Sequence, residues 1–151
     1  TALQAASEGG HTSTVELLLG KGANVNAPAA KYDGRTAVQA AAEGGHISTI
    51  ELLLSKGADV SAPAAKSFGR TALQAAAEGA HTSTVELLLG EGADINAPAA
   101  EYDGRTALQA AAEGGHISTM ELLLGKGADV NAPAAKFRGG TALQAATEGG
   151  H

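Results

Sequence analysis

The chain has no cysteine and no tryptophan, one methionine, two tyrosines and two phenylalanines. Without cysteine there is no disulfide framework, no thiolate nucleophile and no cysteine zinc site. With so few large side chains, a thick central core at about 25 cal/mol per Å² of buried apolar area is out of reach. No apolar run approaches the roughly 18 residues of a membrane span. No basic segment followed by an apolar one opens the chain, so nothing suggests export. Cations are also scarce: 10 Lys and Arg against 16 Asp and Glu give a net charge of −6. A nucleic-acid binder usually needs a basic face. These absences fit a soluble, cytoplasmic protein with no nucleic-acid or membrane partner. The chain begins at Thr1 rather than Met, and a piece of something longer is expected.

What is abundant is small. Of 151 residues, 35 are alanine and 21 glycine. Such a chain suits a thin structure of closely stacked helices better than one filled globule.

The sequence repeats. Thr-Ala-Leu-Gln at Thr1 returns at Thr71, Thr106 and Thr141, and as Thr-Ala-Val-Gln at Thr36. Four units of 35 residues and an 11-residue stub make up the chain. Units one and three agree at 29 of 35 positions, but one and two at only 26, so duplication of a 70-residue pair is the simplest origin.

One unit, Thr36 to Arg70, reads as helix, tight turn, helix, long loop. Thr36-Ala37-Val38-Gln39 is a capping box: the Thr hydroxyl serves the N3 amide and the Gln reaches back to the cap. Ala40 to Glu43 favour helix, and Gly44-Gly45 stop it. Ser48-Thr49-Ile50-Glu51 reads as a second capping box, as do Ser13/Glu16, Ser83/Glu86 and Ser118/Glu121 in the other units. Ile50, Leu53 and Leu54 then form one apolar face. Gly57 closes that helix, and Ala62 to Arg70 form a loop with Pro63 and Gly69. One helix pair cannot bury its own apolar face, but stacked pairs can, which gives a solenoid.

These residues resemble the ankyrin repeat. The carrying motifs are Gly104-Arg105-Thr106-Ala107-Leu108-Gln109-Ala110-Ala111, Gly115-His116, Leu122-Leu123-Leu124 and Gly127-Ala128-Asp129-Val130-Asn131. Near-identical Thr-Ala-Leu-Gln-Ala-Ala-Ala-Glu-Gly-Gly-His units also look like arrays in large fungal multidomain, NLR-type proteins. The resemblance implies an all-α ankyrin-repeat solenoid of helix-turn-helix units with long finger loops. It covers residues 1–151 as a single array: repeats 1–35, 36–70, 71–105 and 106–140, then a partial repeat 141–151, without end caps. It further implies a protein-protein interaction module. There are departures. Ala107 and Gln109 stand where the family carries Pro and His, so any inter-repeat bond of that His is in question. The loop is about two residues longer than in the usual 33-residue repeat, and its Pro-Ala-Ala segment leaves the hairpin geometry open.

No catalytic, cofactor or metal site emerges. His11, His46, His81, His116 and His151 occur one per repeat. Stacked helices lie about 8–10 Å apart, whereas two zinc ligands must each lie about 2 Å from the ion. A turn histidine bonded to nearby backbone, as in the family, is the better reading. The ladder Glu8, Glu43, Glu78, Glu113 and Glu148 brushes the roughly 9.5 Å limit for inverting glycosidase carboxylates. It repeats five times where a single active site would break the pattern, so it reads as solvated surface. Gly20-Lys21-Gly22 lacks the full phosphate-loop pattern, and Asp33-Gly34 lacks EF-hand spacing. With no triad candidate, the chain reads as no enzyme, and no cofactor is expected.

The units differ most at the loop tips, which hold all four aromatics. The residues singled out for partner binding are Tyr32, Asp33, Arg35, Lys66, Phe68, Arg70, Tyr102, Asp103, Arg105, Phe137 and Arg138. Aromatics and arginines on loops over a rigid scaffold suggest recognition. Equally, each ring can pack on its own loop or the next. The five-residue tips carry charges of +1, +2, −1 and +2, so the tip edge is mildly basic. Two functions follow: a protein-binding module working through its tips, or a structural spacer whose open ends self-associate end to end.

Overall fold

A computed structural model of the chain describes residues 1–30, 34–137 and 139–150. Among them are nine helices and no named strand: α1 Ala2–Glu8, α2 Thr12–Gly20, α3 Ala37–Glu43, α4 Ile47–Ser55, α5 Ala72–Glu78, α6 Thr82–Gly90, α7 Ala107–Glu113, α8 Ile117–Gly125 and α9 Ala142–Glu148. The fold is an all-α repeat solenoid of two helical layers. The odd-numbered helices α1, α3, α5, α7 and α9 pack successively on one another, and α2, α4, α6 and α8 form a sparser second row.

Each odd-numbered helix starts at the expected Thr–Gln box. Thr71 Oγ1 accepts from the Gln74 amide at 3.3 Å, and Gln74 Oε1 accepts from the Thr71 amide at 3.0 Å. Helices α1, α3, α5 and α7 each end in a Schellman turn. In α3, the Gly45 amide bonds Ala42 and the His46 amide bonds Ala41, with Gly45 in the left-handed region at φ 68°. This corrects the expected second box. His46, not Ser48, is the N-cap of α4, and no side chain caps it. The turn that ends α3 delivers the chain directly into α4, so Ser48 already lies inside the helix. The same holds for Ser13, Ser83 and Ser118.

The core is a thin sheet of packing between helices. Ala41, Ala76 and Ala111 are buried where odd-numbered helices meet, and Ile50, Leu53, Val85, Leu88 and Leu123 fill the space between layers. Leu143 on α9 is 78% exposed, whereas the matching Leu108 is buried under α9. No helix among the described residues is long and apolar enough to cross a membrane.

Candidate functional site

The loop after each second helix is anchored at its base by the capping glutamine. Besides closing its box, Gln74 donates through Nε2 to the carbonyls of Ala97 and Pro98, both at 3.1 Å. Gln39 does the same to Ala62 and Pro63, and Gln109 to Ala132 and Pro133. A primary amide offers two donors and an acceptor at once. One buried side chain thus fixes both a helix start and a finger base 23 residues away. Sequence reasoning saw only the cap. The recurrence of Gln with Ala-Pro at constant spacing was the available signal.

The histidines act between units. His46, His81 and His116 each place Nε2 2.9–3.0 Å from the carbonyl of Glu8, Glu43 and Glu78 in the preceding unit. This is the backbone role expected of a turn histidine. Among the described residues no cluster of three or more His, Asp or Glu could hold a metal ion.

Beyond their bases the second and third fingers run out to tight tips. Gly69 and Gly104 stand where a Cβ would collide with the backbone of Ala65 and Ala100, so glycine is required for the return. One residue earlier, Phe68 and Asp103 take the left-handed conformation at φ 57° and 54°. The tips meet through isolated parallel bridges, Ser67 to Tyr102 and Tyr102 to Phe137. Phe68 donates its amide to Tyr102, Asp103 to Phe137, and Phe137 to Glu101, at 2.9–3.2 Å. The Tyr102 and Phe137 rings stack with centroids 4.7 Å apart. They remain 43% exposed each, and Phe68 is 50% exposed. Lys136 lies over the Phe137 ring at 5.3 Å and 3.5 Å from Glu101. Both readings of the rings thus have a physical basis, since they pack on one another and still face outward.

The arginines are drawn inward. Arg35 pairs with Glu43 at 2.6 Å and lies 3.8 Å from Glu8. Arg70 forks onto Glu78 and Arg105 onto Glu113, with second contacts of 2.8 and 2.9 Å. These glutamates end α3, α5 and α7, where the helix dipole disfavours a carboxylate, and the guanidinium offsets that. Such half-exposed pairs contribute about 0–1 kcal/mol each. The Glu ladder is therefore partly neutralised rather than merely solvated, and Arg35, Arg70 and Arg105 are engaged within the array. Lys66 is exposed. Tyr32, Asp33 and Arg138 lie outside the described residues, as does His151.

Between neighbouring fingers run apolar grooves. In one, Pro63 and Ala64 face Pro98 and Ala99 over a floor that includes Leu73. Similar grooves flank Pro28 and Pro133. At the tip end, Phe68, Tyr102, Asp103, Lys136 and Phe137 line a further depression.

A family model described as Ankyrin repeats (3 copies) matches residues 1–64, 61–134 and 99–151, together the whole chain. No curated protein matches it.

Proposed function

Because the chain belongs to the ankyrin-repeat family, whose arrays generally mediate protein-protein interaction, we propose that it is a non-catalytic module binding a protein partner through its finger tips and concave face. The observation that carries this reading is the exposed aromatic tip edge: Phe68, Tyr102 and Phe137 stay 43–50% exposed while the larger aliphatic side chains of the helices are mostly covered. Rigid half-buried rings with a neighbouring cation are common interface anchors. Tyr32, Asp33 and Arg138 belong to the same proposed surface by sequence position, with Lys66 and Asp103 at its rim and Arg35, Arg70 and Arg105 at its edge. We take residues 1–151 as one array, in an intracellular setting and with no nucleic-acid or membrane partner.

The test is a photo-cross-linking residue placed singly at Phe68 and at Glu86 on α6. Tip placement should trap a partner from the native extract and the helix placement should not. Equal trapping from both positions contradicts tip-centred binding.

One observation favours a second, structural reading. The Tyr102–Phe137 stack joins adjacent tips, as a spacer held straight by its fingers would require. End-to-end self-association through faces such as that bearing Leu143 belongs to this reading. Light scattering that shows a strict monomer at high concentration contradicts that self-association.

A further inference from the structure

The joints between units are not alike. Between units one and two, Asn26 Oδ1 accepts the Asp59 amide at 2.9 Å, and its Nδ2 donates to Gly57 at 2.9 Å. The Thr12 and Thr49 hydroxyls also meet at 2.8 Å. The joint between units three and four repeats this set: Asn96 with Asp129 and Gly127, and Thr82 with Thr119 at 2.8 Å. Between units two and three the set is missing, because the residues are different. Ser61 stands where the others carry Asn26 and Asn96. Its hydroxyl is shorter than an amide, and the Asp94 amide finds no protein acceptor among the described residues. Ile47 replaces the Thr, so it offers Thr84 no hydroxyl. It is itself 36% exposed. The α4–α6 packing is correspondingly sparser than α2–α4 or α6–α8.

What still crosses this joint lies elsewhere. The odd-numbered helices α3 and α5 pack as closely as other neighbours. His81 reaches Glu43 at 3.0 Å, and the Phe68 amide reaches Tyr102 at 3.2 Å. The ties on the finger and first-helix side are kept, and those on the second-helix side are lost.

We infer that the joint between units two and three is a built-in compliant hinge, dividing the chain into a block of residues 1–70 and a block of residues 71–151. The hinge pivots on the α3–α5 and fingertip side and opens on the α4–α6 side. The array can therefore alter its curvature at one place while the joints on either side hold. Curvature sets the spacing between the tips of the two blocks, so the hinge lets one finger surface fit partners of different shape.

The chain has no cysteine of its own, so pairs of spin labels can be introduced cleanly. Cysteines at exposed Glu16 and Glu51, Glu51 and Glu86, and Glu86 and Glu121 report the three joints in turn. Dipolar line broadening in continuous-wave electron paramagnetic resonance, suited to labels on adjacent helices, should give a clearly broader distance distribution for the middle pair. The double substitution Ile47→Thr, Ser61→Asn restores the missing ties and should narrow it to the width of its neighbours. Amide exchange supplies a local readout. Asp94 should exchange about five- to tenfold faster than Asp59 and Asp129 after sequence correction, from one hydrogen bond of ordinary strength. Ser61→Asn should remove that difference, and Asn96→Ser should bring Asp129 to the Asp94 rate. Equal distance widths at all three joints, or a middle width unchanged by the double substitution, would overturn the hinge.

Discussion

Replacing Gln74 with glutamate changes one atom of the buried side chain and inverts its chemistry. Gln74 is 1% exposed. Its Nε2 donates to two carbonyls at 3.1 Å, and its Oε1 accepts from the Thr71 amide at 3.0 Å. In Gln74→Glu an oxygen faces the Ala97 and Pro98 carbonyls. An ionised carboxylate there is desolvated and repelled, with both donor bonds lost. The chain can escape by protonating the group. At pH 7 that costs about 1.4 kcal/mol for each unit above an ordinary Glu value of about 4.3, close to 4 kcal/mol. The neutral acid restores one donor, leaving one bond unmade at about 1 kcal/mol. The expected loss is thus roughly 3–5 kcal/mol at pH 7, falling to about 1 kcal/mol near pH 4. The sign follows from a folded-state value raised above the unfolded one. The folded chain binds the proton more tightly, so the variant loses stability as pH rises from about 4 towards the folded value. Urea unfolding of both proteins at several pH values measures the difference directly. A loss below about 1 kcal/mol that does not vary with pH refutes the assignment of Gln74 as a buried double donor.

Other substitutions probe separate parts of the account. Ala80 occupies the left-handed turn position held by Gly45 elsewhere, at φ 58°, and a Cβ at Gly45 would lie 2.6 Å from the His81 ring. Ala80→Gly should therefore raise stability by about 1 kcal/mol, seen as a higher melting temperature; a lower one contradicts the strain. Leu88 is fully buried between layers whereas Leu124 is 44% exposed. Leu88→Ala should cost about 2–5 kcal/mol and Leu124→Ala well under half of that, and equal losses in chemical denaturation would contradict a core between the two layers.

Legibility in the sequence depended on how far apart the interacting groups lie. The Thr–Gln boxes, the Gly turns and the apolar face of Ile50 and Leu53 rest on spacings of five residues or fewer, and all were readable. The Ser48 box misled because Ser-x-x-Glu also fits residues already inside a helix, and His46 had taken the cap. Arg70 pairs with Glu78 eight residues on, from just before α5 to its last residue, so no i+4 rule reveals it. The second pair of Gln74 bonds spans 23 and 24 residues and depends on the finger's path. The tip aromatics were visible as a feature, but their stacking required the fingers to converge.

On the proposed reading, the finger tips recognise a protein while the helices and finger bases hold the fold. Substituting Tyr32, Phe68, Tyr102 and Phe137 together by Ser tests it, with partner capture and urea unfolding measured on the same preparation. Capture should be abolished while the variant still unfolds cooperatively, losing at most a few kcal/mol from the Tyr102–Phe137 stack and the half-buried rings. Capture that survives, or a variant that no longer folds, would contradict it.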